Sequence, residues 1–217
     1  EGIAQAFLIA EDFIENSSVT LILGDNLFHG DFLVNKLQKS YLLNEGASIF
    51  AYSVADPERY GVVEFDSKGI AYNIEEKPKN PNSKFAITGL YFYDNTVVEK
   101  AKQIKPSSRG ELEITDLNKM YMKEGKLIVE RMNRGMTWLD TGTTDSLHEA
   151  SSYIRSLEKR QGLKIGCPEE VAWRVGFIDD EQLYSLSIDL TKSGYGKYLQ
   201  NILNESKDSL RFQKIKI

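Results

Sequence analysis

The sequence predicts an α/β fold: a mixed, mainly parallel sheet flanked by helices, followed by a helical C-terminal extension. Three observations predict it. Over residues 4–54 strand-sized apolar runs alternate at short intervals with amphipathic helical stretches, the rhythm of βαβ units around a parallel sheet. From Tyr60 the strands become closely spaced, which adds a hairpin to that sheet. After Asp145 the strand signal largely vanishes and apolar residues advance by three or four, as on helices packed through one face. These shifts divide the chain into an α/β core, residues 1–144, and a helical extension, residues 145–217.

The elements follow in order. Ala4, Phe7, Leu8 and Phe13 recur at helical spacing and stop at Asn16-Ser17-Ser18. Val19 to Leu23 is a run of apolar and β-branched residues, predicting a strand buried on both faces that halts at Gly24-Asp25-Asn26. Asp31 is placed as the N-cap of a helix running to Asn44, with Gly46 as its stop. Ala47 to Val54 is the next strand. Gly61 to Phe65 and Tyr72 to Glu76, joined through Ser67-Lys68-Gly69, form the hairpin, and Phe85 to Tyr93 is a further strand. Helices over Val97–Ile104 and Glu113–Lys123 precede a strand over Leu127–Met132 and a strand end at Trp138-Leu139-Asp140. In the extension, Leu147, Ala150, Ile154 and Leu157 mark a helix closed by Gly162, Pro168 opens another, and Asp180–Leu186 and Tyr198–Leu203 are shorter helical segments.

Composition narrows the classes of function. The 217 residues carry 27 Lys and Arg against 32 Asp and Glu, a formal charge of −5, which argues against a general nucleic-acid binder. No apolar run approaches the roughly 18 to 20 residues needed to span a bilayer, so no membrane insertion is expected. The single cysteine, Cys167, excludes an internal disulfide framework and any cysteine-rich zinc site, and fits the reducing cytoplasm. His29 and His148 have no partner at zinc-site spacing, and neither a Gly-x-Ser-x-Gly elbow nor a Walker loop occurs.

Two acidic strand ends are candidates for cation binding. Asp25 follows Leu21-Ile22-Leu23-Gly24, and Asp140 follows Trp138-Leu139. Carboxylates just beyond strand ends stand where open α/β sheets bind ligands, and two of them can hold Mg2+ together with substrate phosphates. Each alone is equally a turn or cap residue. In Arg59-Tyr60-Gly61 and Glu75-Glu76-Lys77-Pro78, Gly61 can expose its backbone to a ligand, Glu76 can accept from sugar hydroxyls and Lys77 can meet a phosphate; a solvated hairpin with a Glu-Lys pair accounts for the same residues. Arg109, ahead of a helix, can reach a phosphate or simply stand in solvent. Gly89, in Ile87-Thr88-Gly89-Leu90-Tyr91, marks a close backbone approach or a bulge.

Taken in order, several runs carry a resemblance. They are Gly2-Ile3-Ala4-Gln5-Ala6, Leu23-Gly24-Asp25-Asn26, Asp56 to Glu64, Glu75-Glu76-Lys77-Pro78, Thr88 to Asp94, Arg109 to Asp116 and Trp138-Leu139-Asp140-Thr141-Gly142-Thr143. With them the chain, from Gly2 to the Tyr195–Leu199 segment, resembles the sugar-nucleotide pyrophosphorylases, most closely those that join dTTP to glucose 1-phosphate at the head of dTDP-rhamnose biosynthesis. The resemblance implies a Rossmann-like fold of the nucleotide-diphospho-sugar transferase type, a Mg2+-dependent nucleotidyl transfer and a homotetramer with a second, regulatory nucleotide site. It assigns Asp25 and Asp140 as metal ligands, and Gly2 and Gln5 to the nucleotide base. Asn26, Gly61, Glu76, Lys77 and the backbone of Ile87 fall around the sugar and its phosphate, and Lys77 and Arg109 are the charged groups nearest the chemistry. Trp138 shapes the site.

The family's opening loop, of the type Gly-Gly-x-Gly-Thr-Arg-Leu, has no match in the 217 residues. That loop cradles a triphosphate through backbone amides, so its absence after Glu1 implies a front end cut away and no turnover by these residues alone. A related pyrophosphorylase for UTP or another nucleotide, and a non-catalytic fragment that binds sugar nucleotide, are the competing readings.

Overall fold

The computed structural model describes residues 2–43 and 45–206. Helices α1 (Gln5–Ile9) and α2 (Glu11–Ile14) lead to strands β1 (Val19–Ile22) and β2 (Asn26–Gly30), helix α3 (Leu33–Tyr41) and strand β3 (Ala47–Ser53). Strands β4 (Gly61–Phe65), β5 (Ala71–Glu76) and β6 (Phe85–Tyr93) follow, then helices α4 (Val97–Ala101) and α5 (Ile114–Lys123) and strands β7 (Leu127–Arg131) and β8 (Met136–Asp140). The chain divides into two compact units between Gly142 and Thr143.

In the first unit, β6 organises the main sheet. On one side both its ends pair with β3, the register shifting between Ile87 and Tyr91; on the other, its N-terminal end pairs with β4 and its C-terminal end with β1. The sheet order is β5-β4-β6-β3-β7, and β2 and β8 form a separate two-stranded ribbon. Side-chain alternation on β6 serves two cores. Ile87, Tyr91 and Tyr93 join Ile49, Ala51 and Val63 against Phe7 of α1, Val97 of α4, and Leu117 and Tyr121 of α5. Ala86, Leu90 and Phe92 pack on the opposite face with Phe50, Met132, Met136 and Trp138. Just past β6, the buried Asp94 pins four segments. Its Oδ2 accepts from the Gly46 amide at 2.6 Å, and its Oδ1 accepts from Thr96 Oγ1 at 2.6 Å and Tyr121 Oη at 2.9 Å.

The expected α/β class holds, with three corrections to its parts and one added strand. Among the described residues only β3 and β7 pair in parallel. Strands β1, β3, β4 and β7 do run one way, but β6 runs against them and lies between β1 and β3, so neighbours that would pair in parallel become antiparallel. β1 is not buried on both faces: it alternates half-buried and exposed residues, with Ile22 58% exposed, because among the described strands β6 is its one partner. Between Asn26 and Gly30 the chain forms β2, a strand the sequence pattern does not announce. The N-cap position of α3 belongs not to Asp31 but to Phe32, in the left-handed region at φ 65° and without a side-chain cap bond; its expected end at Asn44 lies outside the described residues.

The second unit is helical: α6 (Thr144–Gln161), α7 (Pro168–Arg174), α8 (Asp180–Asp189) and α9 (Tyr195–Ser206). Thr143 and Ser146 form a reciprocal capping box at the start of α6, and Gly162 ends it at φ 69°. Trp173, Leu183, Leu199 and Ile202 make its core, with the thiol of Cys167 buried beside them. Among the described residues no helix is long and apolar enough to cross a membrane.

Candidate active site

The β2–β8 ribbon joins the two acidic strand ends. Its antiparallel register sets Asn26 opposite Asp140, so Asp25, one residue earlier, arrives beside Asp140. Thr141 fastens the junction, its amide and its Oγ1 each donating to the Asp25 carbonyl at 2.8 Å. Both carboxylates face the bare Cα of Gly142: a Cβ there would lie 3.2 Å from Asp140 Oδ1 and 3.5 Å from Asp25 Oδ2. Residues 115 positions apart in sequence, 140 minus 25, thus meet at one point, as the strand-end reading expected.

Asn26 holds this arrangement. Its Oδ1 accepts from Trp138 Nε1 at 2.6 Å and from the Gly89 amide at 2.9 Å. Two N–H donors on one atom identify that atom as the oxygen, so the amide nitrogen must face the other way. It donates to Asp25 Oδ1 at 2.8 Å. Gly89 has no room for a side chain, since its Cβ would stand 2.6 Å from Asn26 Oδ1. The pairing of β6 with β3 also shifts register between Ile87 and Tyr91, so this glycine stands both at a close backbone approach and at a bulge.

The sugar-side candidates also come together. Gly61 opens β4 opposite Glu76, which closes β5. Thr115, buried on the first turn of α5, donates to Glu76 Oε2 at 2.5 Å, and a Cβ on Gly61 would press on both groups, at 3.0 Å from Thr115 Oγ1 and 3.2 Å from Glu76 Oε2. Lys77 is exposed, with its backbone in the left-handed region at φ 43° and its amide bonded to the Tyr60 carbonyl. A side chain at such an angle is uncommon and marks local strain. The side chain of Ile87 packs toward Gly61, and the Ile87–Gly89 backbone lies where β4 has ended and β1 has not yet begun.

Arg109 sits among three carboxylates, 2.5 Å from Glu111, 3.3 Å from Glu113 and 4.0 Å from Glu76. Its bond to Glu111, reinforced by Glu113 and Glu76 against some desolvation, raises its pKa. Gly2, at φ 99°, lies against the Leu112 backbone, and the Ala4 amide bonds the Leu112 carbonyl, so the Gly2–Gln5 segment is tied to the Arg109 side.

Two residues that the sequence reading did not assign connect the halves. The Tyr60 ring meets the Trp138 indole edge to face, centroids 5.1 Å apart. Arg59 bonds Asp56 at 2.9 Å and reaches to 4.0 Å from Asp140 Oδ2. The bond to Asp56 raises the Arg59 pKa, with the Tyr60 phenol and Asp140 contributing. Both residues adjoin Gly61 in sequence, and that adjacency was the available signal.

Asp25 and Asp140 supply hard oxygen donors, each with one carboxylate oxygen engaged by a protein N–H and the other, among the described residues, without a hydrogen bond. That donor set fits Mg2+, which takes one or two carboxylates and completes its shell with water and phosphate oxygens. Among the described residues no three His, Cys, Asp or Glu side chains group to hold a metal unaided.

Paired carboxylates at strand ends, joined through Tyr60 and Trp138 to a hairpin that ends at an exposed lysine, suit transfer of a nucleotidyl group. Residues 1–156 match the protein family described as Nucleotidyl transferase, and the chain belongs to that family. Within it, the chain groups with the glucose-1-phosphate thymidylyltransferases. It is 56% identical over 204 residues to the enzyme so named from Mycolicibacterium smegmatis, covering 94% of this chain and 70% of that one. It is 52% identical over 205 residues to that from Neisseria meningitidis, covering 94% and 71%. Among solved structures it is similar to a Bacillus anthracis protein assigned as a glucose-1-phosphate thymidylyltransferase, in complex with sucrose, with TM-score 0.61, 44% identity and coverage of 71% of this chain and 61% of that one. A UDP-glucose pyrophosphorylase complexed with UDP-glucose shares the fold, at TM-score 0.62 and 22% identity, over 72% of this chain and 63% of that one.

Proposed function

We propose that the chain carries the metal and sugar half of a glucose-1-phosphate thymidylyltransferase, forming dTDP-glucose and pyrophosphate from dTTP and glucose 1-phosphate. A phosphate oxygen of glucose 1-phosphate attacks the α-phosphorus of dTTP in line. A new P–O bond forms as the bond from that phosphorus to the β-phosphate breaks, and pyrophosphate leaves with the electron pair. No covalent protein nucleophile is needed, and the protein's work is positioning and charge stabilisation. Asp25 and Asp140 hold Mg2+, which when bound neutralises charge on the phosphates. Glu76 accepts from sugar hydroxyls, Gly61 leaves space for the ring, and the Ile87 backbone borders it. Lys77 and Arg109 meet the phosphates. Asn26, with its oxygen already filled, offers the sugar at most its second Nδ2 hydrogen, while Gly2 and Gln5 stand for the nucleotide base.

The observation that carries this reading is the meeting of Asp25 and Asp140 at Gly142. Asp25→Asn and Asp140→Asn should each lower pyrophosphate release in the complete protein by roughly 100-fold or more, with the melting temperature retained. Undiminished Mg2+-dependent turnover in either would overturn the metal assignment. A higher kcat/KM with UTP than with dTTP would overturn the choice of nucleotide, which rests on the relatives' identities. The reading extends to the cytoplasm and to a homotetramer; sedimentation of the complete protein as a monomer would refute the latter.

A further inference from the structure

Arg59 is the cation next to the carboxylate pair, and the reaction as described gives it no part. It is anchored on a short turn, Pro57–Arg59, where the i,i+3 bond to Asp56 fixes one guanidinium nitrogen at 2.9 Å. Its other terminal nitrogen faces Asp140 Oδ2, 4.0 Å away, and its Cζ lies 5.3 Å from the centre of the Tyr60 ring. Asp140 Oδ1 is already held by the Gly142 amide at 3.1 Å. The oxygen that Arg59 faces is thus the one left for a metal ion.

Two carboxylates converging on Gly142 repel one another unless a positive charge stands close. Arg59 provides that charge at a distance too long for a direct hydrogen bond, and the tether to Asp56 keeps it from closing on Asp140. We propose that Arg59 is a positioning residue for the metal carboxylates: a tethered counter-cation that offsets the pair's repulsion before the metal arrives and that the divalent ion works against on entry. The proposal rests on the reading of Asp25 and Asp140 as metal ligands.

Removing Arg59 should tighten divalent-ion binding, because a positive charge 4 Å from the ligand oxygen opposes the ion's entry. Arg59 and Asp56 are both partly exposed, so the water-like end of the Coulomb range applies, and the expected effect is roughly five-fold. Releasing the tether should act oppositely. In Asp56→Asn the guanidinium is free to close on Asp140 and must be displaced, so binding should weaken by a similar factor.

The test is Mn2+ binding to the complete protein without substrates, read from the electron paramagnetic resonance of free Mn2+, for Arg59→Gln, Asp56→Asn, Asp25→Asn and the unaltered chain. Melting temperatures confirm that each variant is folded. Tighter binding in Arg59→Gln with weaker binding in Asp56→Asn supports the proposal. Unchanged or weaker binding in Arg59→Gln, or shifts of the same sign in both, overturns it. If Asp25→Asn leaves Mn2+ affinity unaltered, the metal reading itself fails. Arg59→Gln should also lose turnover at saturating metal while gaining metal affinity, a split that a merely structural residue would not give.

Discussion

Asn26→Asp replaces the amide nitrogen that donates to Asp25 with a carboxylate oxygen and changes almost nothing else in size. The two N–H donors from Trp138 and Gly89 remain satisfied, so the variant side chain keeps its orientation and its second oxygen is held against Asp25 Oδ1, where the distance is now 2.8 Å. A favourable bond becomes a like-charge contact. At such a separation the repulsion is about 1.5 kcal/mol in a water-like medium and about 6 kcal/mol at an effective dielectric of 20. Asp25 is exposed and Asn26 half-buried, which places the cost toward the lower figure, about 2 kcal/mol once the lost hydrogen bond is included. For a chain of this size that corresponds to a melting temperature lower by roughly 4–8 °C. The sign with pH follows from the repulsion. The crowded pair in the variant binds a proton more readily when folded than when unfolded, so the penalty is full at pH 8 and shrinks as the pair takes up a proton on acidification. Thermal melts of variant and parent at pH 8 and pH 5 make the comparison. A deficit of equal size at both pH values, or none at pH 8, would show that Asn26 does not face Asp25 in this way.

Three other outcomes are expected. Gly89→Ala must displace Asn26, whose oxygen a Cβ would meet at 2.6 Å, together with the Leu23 side chain at 2.8 Å; chemical denaturation should show a loss of about 1–3 kcal/mol, with weaker metal binding. Glu76→Gln should raise the KM for glucose 1-phosphate while leaving that for dTTP unchanged, and an unaltered KM for the sugar phosphate would remove Glu76 from the sugar site. Burial by itself would raise the Asp94 carboxyl, yet its bonds from Thr96, Gly46 and Tyr121 outweigh burial and hold it below the ordinary range. Its stabilisation is therefore complete above a pH of about 4 and is lost as the pH falls through the lower folded value. Urea titrations should show Asp94→Asn about 1–3 kcal/mol less stable at neutrality, with a shallower decline below pH 4 than the parent.

What the sequence made legible was the pair of carboxylates at the strand ends. An acidic residue directly after an apolar run is visible without a fold, and Asp25 and Asp140 were both found so. Gly61 and Glu76 were recognisable as a unit because they close one hairpin, whose two-strand pattern is local. The connections were not legible. Asn26 looks like part of a turn signal, Gly24-Asp25-Asn26, and its role depends on Trp138 standing 112 residues away on the partner strand. The direction of pairing was hidden for a similar reason: β1 and β3 have the composition of parallel neighbours, and only the insertion of β6 between them makes each pair antiparallel. The β2 strand, Asn26 to Gly30, is half-buried throughout, without the alternation that announces a strand.

These hidden connections explain why the site divides as it does. The carboxylate pair belongs to the β2–β8 ribbon, which is hydrogen-bonded to itself and touches β6 through the amide of Gly89 on Asn26. The candidates for the sugar side, Gly61 and Glu76, belong to the β4–β5 hairpin and are held instead by Thr115 of α5. The Tyr60 ring against Trp138 and the reach of Arg59 toward Asp140 join the two. On the proposed function, substitutions around Glu76 should alter which sugar is accepted without disturbing Asp25 and Asp140. A change at Trp138 cannot be confined in that way, because one indole both donates to the amide that orients Asp25 and packs against the tyrosine that precedes Gly61.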